Sequence, residues 1–283
     1  MVFESILNPS NAERHPGRMF FFGLLYFSVG IIISLKIFWG QASMVMVFLT
    51  TLACLPLVYN TIKEEESKDD SVAQESLLLK EHARAVRMFI FLFFGFVVAC
   101  IIWYVALPSD ATANLFGVQI GTINDINSGV TANATGQIGS FFTVLFNNLW
   151  VLAYVMLFAF VFGAGAIFIL TWNASVIGAA IGSFIRKELS AAANAVGLDA
   201  VGNYFSTFSV GLAMYAIHGI PEILGYFVAG LAASIISIAA MKHGHDMEHF
   251  KKVLLDSTDL LLISVLLILM AAFLEVFVTP LFF

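Results

Sequence analysis

The sequence is poor in charge. Only 11% of its 283 residues are Asp, Glu, Lys or Arg, against roughly 25% in soluble domains. A soluble chain of this length needs a polar surface that so few charges cannot supply. Cysteine is nearly absent. Cys54 and Cys100 sit inside apolar runs, so neither a disulfide framework nor a cysteine-based metal site is expected. The signatures of common chemistries are also missing: there is no P-loop, no GxGxxG, no haem pattern and no HExxH. The net charge of −6 argues against a nucleic-acid partner.

What is present is apolar. Hydrophobic residues make up 60% of the chain and aromatics 14%, and the mean hydropathy is +0.94. A bilayer core needs about 20 apolar residues per helical crossing. The expectation is an all-α polytopic transmembrane bundle of six full spans with additional short re-entrant or broken helices. The spans are expected near Met19–Trp39, Ser43–Tyr59, Met88–Leu107, Phe146–Leu170, Pro221–Met241 and Leu260–Val278. The first has no small-residue cleavage site and is expected to remain as an anchor. Three units follow: an N-terminal hairpin over 1–60, an acidic amphipathic segment over 61–87, and a membrane domain over 88–283. Residues 108–140, rich in Asn, Thr, Ser and Gly, are expected as a loop, with a short strand pair near Phe116–Ile123. Asn173–Ile185 is short for a crossing and fits a re-entrant or interfacial helix, and Phe205–Ile217 is similar; to return the chain to the outer side, either Asn173–Ile185 crosses as a thin span or the two form a broken crossing together. Pro is well tolerated at a first helical position, so a helix is expected to start at Pro221 after a break at Gly219–Ile220.

Basic residues set the orientation. Arg14, Arg18, Lys63, Lys68, Lys80, Arg84, Arg87, Lys242, Lys251 and Lys252 fall in three segments, while 108–140 has no Lys or Arg. Cytoplasmic loops carry the excess of Lys and Arg. The N-terminus is therefore expected in the cytoplasm of a multi-pass cell-membrane protein and the C-terminus outside. Arg186 and Lys187 are exceptions to the pattern.

Polar groups in lipid need a reason, because charges cost about 2.5–3.5 kcal/mol on insertion. Asn147, Asn148, Asn173, His218, Glu222 and Glu275 are such groups. Glu222 lies twenty residues before Lys242, about 30 Å along a helix, and Glu275 fifteen beyond Leu260, about 22 Å. The orientation thus gathers Asn147, Asn148, His218, Glu222 and Glu275 in the outer half, with Asn173 at the opposite end of the Phe146–Leu170 span. Such a cluster glues helices around the break, forms a proton- or cation-binding site or the lining of a small pathway, or presents a docking surface to an external partner. Weaker signals are His243, His245 and His249 as metal ligands, Ser183 with His218 as a dyad, a Gly178/Gly182 small-residue pair, and the sequon Asn133-Ala134-Thr135. No cofactor or metal is expected.

Asn147-Asn148 before a Gly-rich span, Asn173 and Gly178 after it, His218-Gly219 with Glu222, and Glu275-Val276-Phe277-Val278-Thr279-Pro280 together resemble the stage II sporulation protein M (SpoIIM) family. Ala174 stands where that family often has Gly. With no catalytic motif, no enzymatic activity is expected, and the resemblance implies an integral membrane protein. It implies a scaffold in a cell-envelope complex, since the sporulation member belongs to a complex recruiting peptidoglycan-degrading enzymes. The bilayer, envelope proteins or a second copy are the expected partners. The alternative expectation is a transporter or channel component with an ion or proton site.

Overall fold

The computed structural model describes residues 9–71, 75–133, 136–162, 165–191, 198–243 and 247–282. They form nine α-helices: α1 Pro9–Arg14, α2 Pro16–Ile37, α3 Ala42–Ser71, α4 Glu75–Ala106, α5 Ser109–Asn133, α6 Gln137–Phe162, α7 Ala166–Ala191, α8 Leu198–His243 and α9 Met247–Phe273. A 3-10 turn, Trp39–Gln41, joins α2 to α3, and a π-helical turn, Leu274–Val278, follows α9. Helix is the form in which a lipid-embedded chain satisfies its own backbone. All described elements are helical, and seven helices are long and apolar enough to cross a membrane.

Seven candidate crossings replace the expected six plus short segments. Asn173–Ile185 is the middle of the unbroken helix α7, and Phe205–Ile217 and Pro221 lie in one 46-residue helix, α8. Pro221 is therefore interior and does not start a helix. It has no N–H to give the Ile217 carbonyl, a loss that membrane helices tolerate where neighbours pack closely. The expected Phe146–Leu170 span is two helices, α6 and α7, which both pack on α8: a Cβ added at Gly230 would lie 3.2 Å from both Val155 and Ala166. The expected 108–140 loop and strand pair are also replaced, by α5. Pro108 ends the preceding helix, Asp110 sits in the first turn of α5, and Gly136, at φ +106°, makes the turn into α6. The 61–87 stretch forms no separate helix: its described residues extend α3 and begin α4.

α8 is the central helix, with 83% of its apolar stretch buried against 22% for that of α9. It packs most extensively on α9, while α2 packs along α4 and α4 along α7. Membrane helices gain no hydrophobic drive from one another, so small residues set the close contacts. Gly178 and Gly182 of α7 seat against Cys100 and Tyr104 of α4. Polar cross-links add to this. Gln119 of α5 accepts from Ser43 Oγ at 2.6 Å and donates to Ser175 Oγ at 3.2 Å. Arg186 donates to Tyr104 O, Thr112 Oγ1 and Ser109 Oγ at 3.3, 2.9 and 3.2 Å. That accounts for a basic residue outside the three basic segments: it pins α7 to the α4–α5 corner.

The opposite face carries a buried ionic cluster. Glu65 of α3 pairs with Lys68 and, at 2.7 Å, with His82 of α4, and Lys68 reaches Glu13 of α1 at 3.1 Å. Burial, and then the charge of Glu65, push the Glu13 carboxyl up to about 7, against the opposing pull of Lys68. A folded-state value raised above the unfolded one means that the folded state holds the extra proton between pH 4.5 and about 7. The stability contributed at Glu13 is thus complete at the acid end of that window and is lost as pH rises through about 7. Hydrogen exchange, corrected for its intrinsic pH dependence, should show α1 opening more readily at about pH 8 than at about pH 6. Glu13→Gln should remove that step; a step of unchanged size in the variant would refute the assignment.

Candidate functional site

Four side chains of α8 recur at helical spacing. Tyr215, His218, Glu222 and Tyr226 are separated by three, four and four residues, which puts them on one face. That face lines a cavity of about 280 Å³ inside the bundle. α6 supplies Asn147, Asn148 and Val151 to its wall, α7 supplies Asn173, Val176 and Ala180, and the π turn supplies Glu275. Phe93, Phe94 and Val97 of α4 and Ile123 of α5 add to the apolar lining.

All six polar residues singled out in the sequence therefore border one space. Five were expected together. Asn173 was expected at the far end of a span and is instead with the others, because the chain folds back between α6 and α7. Two tyrosines escaped the sequence reading, although their spacing with His218 and Glu222 was there to be read. The π turn carrying Glu275 has no sequence signature. Such widened turns recur at functional sites because the inserted residue redirects the side chains around it.

The hydrogen bonds are specific. Tyr226 donates its hydroxyl to Glu222 Oε1 at 2.9 Å. Thr279, just after the π turn, donates to Leu274 O at 3.1 Å, and His218 Nδ1 lies 3.3 Å from the same hydroxyl oxygen. Thr279 has one hydroxyl hydrogen, so with that bond made it meets His218 as an acceptor and Nδ1 is the donor. Asn148 is only 6% exposed, and its Nδ2 has no partner among the described residues; neither has Nδ2 of Asn173. Gly219 faces open space, where an added Cβ meets nothing within 4 Å. Among the described residues the lining contains two carboxyls and one imidazole but no Lys or Arg.

The weaker signals fall elsewhere. Ser183 Oγ donates to Ala180 O at 2.9 Å, and the imidazole of His218 is engaged by Thr279, so the two do not form a dyad here. The side chains of His243 and His249, all of His245, and residues 134–135 of the sequon lie outside the described residues.

A family model, Stage II sporulation protein M, matches residues 88–280. The chain belongs to the SpoIIM family. The match covers well over half of the chain, including all six polar residues and the π turn, and begins after the N-terminal hairpin. No curated protein and no solved structure matches the chain.

Proposed function

We propose that this SpoIIM-family protein is a non-enzymatic membrane component that admits a small polar solute into the bundle, as a carrier or channel-type subunit does. The observation that carries the reading is the convergence of Asn147, Asn148, Asn173, His218, Glu222 and Glu275 on one cavity. A break at Gly219–Pro221 was a motive both for helix glue in a scaffold and for a transport site, and its absence weighs on both alike. The polar groups face space, which favours a binding role. Intramembrane ionisable residues facing a cavity are functional candidates on physical grounds, because they are expensive to retain. The distribution of Lys and Arg supports a cytoplasmic side for the face of Glu13 and Lys68 and an outer side for the Arg186 end.

Thiol accessibility tests the reading. In a Cys54→Ala/Cys100→Ala background, Val176→Cys should react with a cationic, membrane-impermeant methanethiosulfonate from one side of the membrane. Gln41→Cys, at an exposed helix junction, is the positive control. A Val176→Cys thiol that stays unreactive from both sides while the control reacts would refute an accessible cavity.

A further inference from the structure

The chemistry of the lining narrows what the cavity holds; this step rests on the solute-binding reading above. Two features need a complement. The first is charge. Glu222 and Glu275 line a space with no Lys or Arg among the described residues, and ionised carboxylates out of water demand a cation. The second is the pair of amides. Asn148, nine-tenths buried, and Asn173 both present N–H donors without partners among the described residues. A buried donor demands an oxygen. A bare metal ion or a proton answers the first demand and leaves the second unmet. An anion does the reverse.

The two demands arise on different helices. The amides come from α6 and α7, the carboxylates from α8 and the π turn. One molecule with a positive end and an oxygen-bearing end meets both. A space of about 280 Å³ is many times what one water needs and has room for a small organic solute. We propose that the cavity binds a small zwitterion, its ammonium between Glu222 and Glu275 and its oxygens on the Asn148 and Asn173 amides. A free amino acid and an ethanolamine-phosphate headgroup share this chemistry.

Protection of the Val176→Cys thiol measures binding without altering a polar group of the site. The protein is held in nanodiscs of phosphatidylglycerol, which carries no ammonium, and labelled in the presence of 3-aminopropanoate, glycerophosphoethanolamine, ethylammonium, acetate or potassium. Saturating zwitterion should slow labelling at least about fivefold, and ethylammonium, acetate and potassium far less. Stronger protection by 3-aminopropanoate assigns a soluble solute, and stronger protection by glycerophosphoethanolamine a lipid headgroup; either supports the proposal. Glu222→Gln should abolish protection, with Glu275→Gln as the substitute if that variant does not accumulate. Asn148→Ala should erase the advantage of zwitterion over ethylammonium. Labelling that no zwitterion slows, that potassium slows equally, or that zwitterion still slows in Glu222→Gln overturns the proposal while leaving an accessible cavity standing. A thiol that never labels removes the cavity itself.

Discussion

Gly95→Leu is expected to prevent the protein from accumulating in the membrane as a folded monodisperse species. The reason is backbone against backbone. A Cβ at Gly95 of α4 would lie 2.2 Å from the Phe20 carbonyl oxygen and 2.9 Å from the Gly23 Cα of α2. Reciprocally, a Cβ at Gly23 would lie 2.2 Å from the Leu92 carbonyl oxygen. No rotamer change relieves such contacts, because neither partner atom belongs to a side chain. One helix must move, and α2 on α4 is among the most extensive interfaces in the bundle. Overpacking a formed core typically costs about 1–3 kcal/mol and sometimes more, so even Gly95→Ala should lower the unfolding midpoint clearly. Gly121→Ala in α5 is the matched control, since nothing lies within 4 Å of its added Cβ. Fluorescence-detected size exclusion and thermal unfolding in detergent give the readout. A Gly95→Ala protein as stable as the Gly121→Ala one would show that the two helices do not cross at these glycines.

The glycine crossing also illustrates what sequence patterning conveys. Composition alone points to a membrane bundle, because 60% apolar residues with 11% charge allow little else. The six polar site residues stand out for the same energetic reason: each is costly in lipid. The elements that escaped were those whose local preferences yield to tertiary packing. α5 contains Asn, Thr and Gly that favour turns when isolated, yet Leu115, Phe116 and Gln119 bury one face of it and tie it to α3 and α7. Pro221 looks like a first-turn residue and is an interior one. Gly and Ala near 163–166 look like close packing within one span, whereas α6 ends at Phe162 and α7 begins at Ala166. That single difference relocates Asn173 from the far end of a helix to the cavity wall. Which glycines meet, and that the last turn before Thr279 widens around Glu275, depend on pairwise fit between distant segments and leave no trace in local spacing.

The buried ionic cluster should carry the largest single-residue effect outside the glycine crossing. Glu65 is fully buried, and one carboxylate serves two partners: Lys68 a turn away on α3 and His82 on α4 at 2.7 Å. Through Lys68 it also reaches Glu13, so it joins three helices on the face opposite Arg186. Removing one member of a buried ionic group costs about 3–5 kcal/mol, because the partners lose their counter-charge without regaining water. Glu65→Ala is expected to fall in that range by SDS unfolding in mixed micelles. Glu65→Gln should cost less, since its amide oxygen still accepts one hydrogen bond. The double variant Glu65→Ala/His82→Ala should be less destabilised than the sum of the two single changes, as the imidazole no longer sits beside a missing partner. Strict additivity would mean that the pair does not interact. The cluster borders neither Asn148 nor Glu222, so in any of these variants that still folds the Val176→Cys thiol should keep its protection by zwitterion. The comparison separates what fastens the N-terminal hairpin to the bundle from what the cavity binds.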